Sequence, residues 1–258
     1  MRALVTGAGK RLGKAIALAL ADDGYDVAVH YASSEQAALN VVAEIEARGR
    51  RAVALQTDLL QDAQTEMLLP RAAEMLGGPI TCLVNNASIF ESDDLAGMTR
   101  SSWDRHMQSN LRAPALLLQA LAAQDLPDLR DAAGEPLSAA VAINMVDQRV
   151  RKLTPQFMSY TLAKSALWTL TQTAAQALAP RIRVNAIGPG PTLAGPRQTP
   201  QDFAAQRGAT PLQRGAGEAD IAAALRYLVT SPAITGQLIC VDGGQHLAWQ
   251  TPDALLPE

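Results

Sequence analysis

At 258 residues the chain is long enough to bury one large core, and 48% hydrophobic with 18% charged residues is the composition of a globular enzyme, which excludes a disordered chain. A net charge of −3 with both signs interspersed and no lysine–arginine run excludes a nucleic-acid surface. No apolar run approaches the ~18 residues of a membrane span, strand-like sequence begins at Met1 and leaves no room for a signal peptide, and Cys82 and Cys240 lie far apart in apolar runs. Two such cysteines form neither a disulfide framework nor a metal site. A cytoplasmic protein with buried thiols is expected.

The first predicted strand, Ala3–Thr6, runs into T-G-A-G-K-R-L-G-K (residues 6–14) and a helix over Leu12–Asp22. Gly7 and Gly13 can supply a tight turn and a close helix–strand approach, so that helix N-terminal amides face a pyrophosphate; the plain alternative is a turn that merely joins strand to helix. The second strand, Val27–His30, continues into Y-A-S-S with no acid before Glu35. An NAD-binding fold usually places Asp or Glu there to hold the ribose hydroxyls. Here His30, Ser33 and Ser34 are neutral or cationic donors and Arg11 stands in the glycine turn, a set that suits a 2′-phosphate and predicts NADPH over NADH. Arg11 as a solvated helix start, and Ser34 as the N-cap of a helix over Glu35–Arg48, are the plain readings.

The third strand, Ala52–Leu55, leads to Asp58, which either bonds an adenine amino group or caps the helix Gln61–Leu76. The fourth, Thr81–Val84, puts Asn85 and Asn86 at the carboxyl edge where open α/β sheets bind ligands. A helix over Ser101–Gln124 carries Asn110, either a core amide or the anchor of a water near Lys164. The fifth strand, Ala139–Val146, ends on a carboxylate, Asp147, and Arg149, Arg151 and Lys152 follow it near the pocket mouth. They are either a solvated loop or an attractor for an anionic tail such as a folate glutamate. In the helix Met158–Leu178, Tyr160 and Lys164 share one face. An exposed helix pair is the plain reading of Y-x-x-x-K alone, but an ammonium beside a phenol lowers its pKa and brings proton transfer within reach.

Strands Ile182–Asn185 and Leu238–Val241 and a helix over Glu218–Val229 complete the series, and Gly188–Gly217, rich in Gly and Pro, reads as a lid or binding loop. This β–α alternation predicts an α/β Rossmann fold: one domain over residues 1–258, with a doubly wound parallel sheet of about seven strands and helices on both faces.

Taken in order, T-G-A-G-K-R-L-G (residues 6–13), Asp58, N-N-A (85–87), Asn110, Y-T-L-A-K (160–164), R-V-N-A-I-G-P-G (183–190) and V-D-G-G (241–244) resemble the short-chain dehydrogenase/reductase family along essentially the whole chain. The resemblance implies a catalytic tetrad of Asn, Ser, Tyr and Lys. Asn110, Tyr160 and Lys164 match it, and Asp147 stands where the serine belongs. An arginine in the glycine turn (Arg11), H-Y-x-x-S after the second strand (His30 to Ser34), N-N-A-S (85–88) and an Asp for the serine resemble the pteridine reductases and bacterial dihydromonapterin reductases of the family.

That likeness implies NADP(H) held by Gly7, Arg11, Leu12, Gly13, His30, Tyr31, Ser33, Ser34, Asp58, Leu59, Asn86, Ala87, Ser88, Tyr160, Lys164, Pro189, Gly190 and Thr192. It implies a pterin bound by Ser88, Phe90, Asp147 and Tyr160, with the ring stacked on Phe90. It also implies a homotetramer, and a tail around His246–Gln250 offered to a neighbouring subunit. The reaction implied is reduction of a dihydropterin to its tetrahydro form, with the Tyr160/Asp147 pair supplying the proton and Lys164 holding the nicotinamide ribose and lowering the Tyr160 pKa. An NADPH-dependent carbonyl or 3-oxoacyl reductase and a non-catalytic NADP-sensing protein are the alternatives.

Overall fold

Successive strand residues point to opposite sides of a sheet, and in this chain both sides are apolar. In the computed structural model, which describes residues 1–195 and 197–249, the strand β1 (Arg2–Val5) sends Ala3 and Val5 into one core and Leu4 into the other. The same holds for β2 (Asp26–Tyr31), β4 (Cys82–Asn85) and β7 (Ala140–Met145), so the sheet needs a helical layer on each face. One layer is α1 (Arg11–Asp22), α2 (Glu35–Glu46) and α8 (Glu218–Thr230); the other draws on α3 (Asp62–Leu76), α5 (Ala113–Ala122) and α6 (Met158–Leu178).

With β3 (Ala52–Gln56), β8 (Ile182–Pro189) and β9 (Leu238–Val241) the sheet has seven strands, all parallel, in the order β3-β2-β1-β4-β7-β8-β9. The expected doubly wound fold is the observed one. The chain leaves β1 towards β2 on one side and returns to β4 on the other. This reversal opens a crevice at the carboxyl ends of β1 and β4, the position where such sheets bind ligands.

Three elements depart from the sequence expectation. The helix predicted over Ser101–Gln124 is two helices, α4 (Arg100–Met107) and α5, joined by a π-helical turn at Gln108–Arg112 that contains Asn110. Such single turns inside helices are frequent at functional sites. The Gly188–Gly217 loop contains a helix, α7 (Pro200–Gly208), started by a capping box in which Thr199 and Asp202 satisfy each other's amides. A small hairpin, β5 (Leu129–Arg130) with β6 (Pro136–Leu137), precedes β7 at the far end of the sheet from the crevice. Cys82 is buried and Cys240 half-buried, both as free thiols. Among the described residues no helix is long and apolar enough to cross a membrane.

Candidate active site

The turn after β1 is built to keep side chains out. Gly7 sits at φ +63° in the left-handed region, and a Cβ on Gly13 would lie 2.1 Å from the Gly7 carbonyl oxygen. The turn is braced from three directions. The Gly7 N–H donates to His30 Nδ1 (2.9 Å), Asn86 Nδ2 donates to the Thr6 carbonyl (2.8 Å), and Thr6 Oγ1 accepts the amides of Asn86 and Ala87 (2.9 Å each). His30 Nε2 lies 3.0 Å from the Thr57 carbonyl, to which it donates. The ring is therefore a fully committed neutral tautomer, and burial pushes its pKa down to about 4. His30 is thus a brace for the turn, not the phosphate donor that its position in the sequence suggested.

Arg11 also departs from expectation. Its backbone is left-handed (φ +53°) and its guanidinium donates to the carbonyls of Ala194 (2.8 Å) and Leu193 (3.1 Å), tying the glycine turn to the segment after β8 instead of reaching Ser33 and Ser34. Ser34 is the positional N-cap of α2, yet its hydroxyl makes no capping bond. Ser33, Ser34 and Lys10 line the same cavity. Lys10 was not singled out from the sequence, although a second cation in the glycine turn was the signal. Asp58 turns one oxygen back on the Leu60 amide (3.0 Å), a local turn ahead of α3, whose N-cap is Gln61, so it does not cap that helix; it lines the cavity instead.

The cavity holds about 690 Å³, the size class of a small-molecule or cofactor site. Its wall includes Gly7, Leu12, Gly13, Tyr31, Leu59, Ala87, Pro189, Gly190 and Thr192, together with the reactive residues Ser88, Phe90, Asp147, Tyr160 and Lys164. Asn85 does not belong to it: its amide donates to Asn144 Oδ1 (2.8 Å), and Asn144 donates to Thr171 Oγ1 (2.9 Å), a buried polar strut between β4, β7 and α6.

At the reactive end, β7 delivers Asp147 and α6 delivers Tyr160 and Lys164. The Tyr160 hydroxyl donates to Asp147 Oδ2 (2.9 Å), while Asp147 Oδ1 accepts the Arg149 amide (2.8 Å). Burial raises the Asp147 pKa against the lowering effect of those bonds. Burial, followed by the charge of Asp147, pushes Tyr160 well above its ordinary value. Lys164 donates to the Met145 carbonyl (2.7 Å), and burial pushes its pKa down to about 8. The expectation that Lys164 makes Tyr160 more acidic is corrected here: the nearest charge to the phenol is a carboxylate, and it acts in the opposite sense. Tyr160 is a protonated donor in this arrangement.

Asn110 is not aimed at Lys164. Its Oδ1 accepts the Ile89 amide (2.9 Å) and its Nδ2 donates to the Ile89 carbonyl (2.8 Å), so its side chain clasps the loop that carries Ser88 and Phe90. Phe90 stacks on Phe157 (centroids 4.3 Å apart, planes at 10°) and meets Tyr160 edge to face at 4.7 Å. Phe157 went unnoticed in the sequence, where nothing separates it from any loop aromatic. The guanidinium of Arg149 lies 4.9 Å from the Phe157 ring centroid and that of Arg197 5.3 Å from that of Phe90. Arg151 instead bonds the Leu238 carbonyl (3.3 Å), and Lys152 lines a separate cavity with Ala248 and Trp249. Of the tail, His246 lies on Asp242 (2.8 Å) and Gln250 is outside the described residues.

A glycine turn at a sheet reversal, joined in one cavity to a Tyr–Lys helix pair, defines a dinucleotide-dependent oxidoreductase of the Rossmann type. The family profile described as Enoyl-(Acyl carrier protein) reductase matches residues 7–246. The 3-oxoacyl-[acyl-carrier-protein] reductase FabG of Staphylococcus aureus is 33% identical over 250 residues, covering 95% of this chain and 98% of its own. A protein of Armillaria gallica named Short-chain dehydrogenase/reductase is 34% identical over 258 residues, 94% of each chain. The chain belongs to the short-chain dehydrogenase/reductase family. Among solved structures, FolM alternative dihydrofolate reductase 1 from Brucella canis, complexed with NADP, is 44% identical with a TM-score of 0.90, covering 98% of this chain and 96% of that one.

Proposed function

We propose that the chain is an NADPH-dependent reductase of a dihydropterin. The observation that carries this reading is the hydrogen bond from Tyr160 to Asp147 at the position where carbonyl reductases of the family carry a serine. The FolM likeness supports it. A ring imine needs a proton delivered to nitrogen, which an acid with a raised pKa can supply.

The cofactor, when bound, supplies the hydride. The Gly7–Gly13 turn offers its amides to the pyrophosphate, and Ser33, Ser34 and Lys10 are the groups available to a 2′-phosphate, where a carboxylate at the end of β2 is missing. Lys164 spends one N–H on the Met145 carbonyl and keeps two for the ribose hydroxyls. Tyr160 passes its hydroxyl proton to the ring nitrogen and recovers one from protonated Asp147, ending as the phenol–carboxylate pair seen here. This relay avoids a phenolate beside a carboxylate.

The test is NADPH oxidation with dihydromonapterin or dihydrobiopterin, beside a simple ketone and with NADH as control. Turnover with the dihydropterin and NADPH is expected, falling by roughly a hundredfold or more in Asp147→Ser, the lower range for loss of a general acid. Unchanged turnover in that variant removes the role of Asp147. The S. aureus relatives favour a second reading, reduction of a 3-oxoacyl thioester. Preference for that substrate over the dihydropterin would establish it.

A further inference from the structure

The segment from Asn86 to Asp93 has no regular secondary structure, yet it must hold Phe90 against Tyr160. An irregular backbone keeps a fixed position only where its polar groups find partners. At Ile89 that partner is Asn110. Two residues further on it is a histidine: the Glu91 N–H donates to Nε2 of His106, on α4, at 3.1 Å.

Because Nε2 accepts, the proton of the neutral ring is on Nδ1, which faces Ser159 Oγ at 2.6 Å, and Ser159 in turn donates to Asp93 Oδ2. Asp93 Oδ1 accepts the Ser159 amide (3.1 Å), and Ser102 Oγ donates to Oδ2 (3.1 Å). The result is a one-way chain, His106 to Ser159 to Asp93, with every proton assigned. His106 and Ser159 are fully buried, and the Asp93 side chain is 3% exposed. Outside the fold this cluster resembles a nucleophile–base arrangement, but here both hydroxyl and imidazole are sealed from solvent and hold the loop by its backbone.

We propose that His106 is a positioning residue for the substrate ring: with Ser159 and Asp93 it clamps the 89–93 segment to α4 and to α6, the helix that carries Tyr160, and so sets where Phe90 stands. Ser159 immediately precedes Tyr160, and the His106 ring lies 6.0 Å from the Tyr160 ring, edge to face, so the clamp and the phenol share one rigid support. The clamp leaves the glycine turn untouched. Its loss therefore separates substrate binding from cofactor binding.

The experiment compares His106→Leu, which removes both ring bonds, with His106→Gln, whose Oε1 can still accept the Glu91 amide. In His106→Leu the KM for dihydropterin should rise roughly tenfold, with kcat and the KM for NADPH within about twofold, and His106→Gln should recover most of the loss. Amide hydrogen exchange across residues 88–93 should quicken in the Leu variant and slow again in the Gln variant. An unchanged KM for dihydropterin with unchanged exchange in folded His106→Leu overturns the proposal, and so does equal damage in both variants, which is the mark of core packing alone. If His106→Leu does not fold, Ser159→Ala, which removes the central hydroxyl, should give the same split. The kinetic readout rests on the dihydropterin reading and the exchange readout does not. A wild type silent towards dihydropterins therefore refutes that reading while exchange still decides the clamp.

Discussion

A histidine whose two ring nitrogens are both committed inside the fold can take a proton only by giving up a bond. His30 is such a residue, with a folded pKa near 4 against an ordinary value of 6.5. The unfolded chain therefore binds a proton first as pH falls. The contribution is complete above the unfolded value, declines as pH falls from about 6.5, and reaches a cost of about 3 kcal/mol near the folded value of 4. Thermal unfolding at pH 7 and pH 5 should show wild type losing more stability than His30→Gln, which does not titrate; equal losses in both would remove His30 as the cause. Asp147 has the opposite behaviour. Its raised pKa keeps the proton available further into the pH range, so the rate of reduction should decline as pH rises through that pKa.

At the scale of elements, the junction of β1 and α1 is the most constrained contact in the site. A Cβ on Gly13 would come within 2.1 Å of the Gly7 oxygen and 2.6 Å of Asn86 Nδ2, both part of the braced turn, so the helix would have to retreat. Overpacking of this kind costs ~1–3 kcal/mol. Gly13→Ala is accordingly expected to weaken NADPH binding by about tenfold or more in a fluorescence titration. Gly208→Ala, at the end of α7, meets nothing within 4 Å and should leave binding unchanged. The π-turn between α4 and α5 is the second constrained element. The extra residue of the turn was invisible to apolar periodicity, since Leu111 and Leu116–Leu118 fit a continuous helix as well as an interrupted one.

At the scale of the whole molecule, the cavity mouth gathers cations from distant parts of the chain. Arg149 from the short turn after β7 and Arg197 from the segment before α7 lie beside the Phe90–Phe157 stack, and neither has a carboxylate within 4.0 Å among the described residues. A substrate with an anionic tail would meet both. Arg149→Gln and Arg197→Gln are expected to raise the KM for dihydrofolate severalfold more than for an unconjugated dihydropterin, because screened surface charges contribute up to ~1 kcal/mol each. Equal effects on the two substrates would make these arginines a solvated rim. Family resemblance further implies a homotetramer, which light scattering on the intact chain tests directly.

Most of the fold was legible in the sequence because its signals are local: apolar strands, amphipathic helices, the glycines of the turn, and a Tyr–Lys pair one helical turn apart. Asp147 was legible as well, since a carboxylate ending an apolar strand is conspicuous in one dimension. Tertiary structure decided what those side chains do. It turned His30 from a candidate cofactor ligand and Asn110 from a candidate catalytic residue into braces, gave Arg11 to the carbonyls of Leu193 and Ala194, and made the phenol of Tyr160 a donor to Asp147. It also brought Asp93, His106 and Ser159 together from an irregular segment and two helices. The physical reason is common to all of these: periodicity and turn chemistry act between near neighbours, whereas a hydrogen-bond partner or a pKa shift depends on what burial sets beside a residue from elsewhere in the chain.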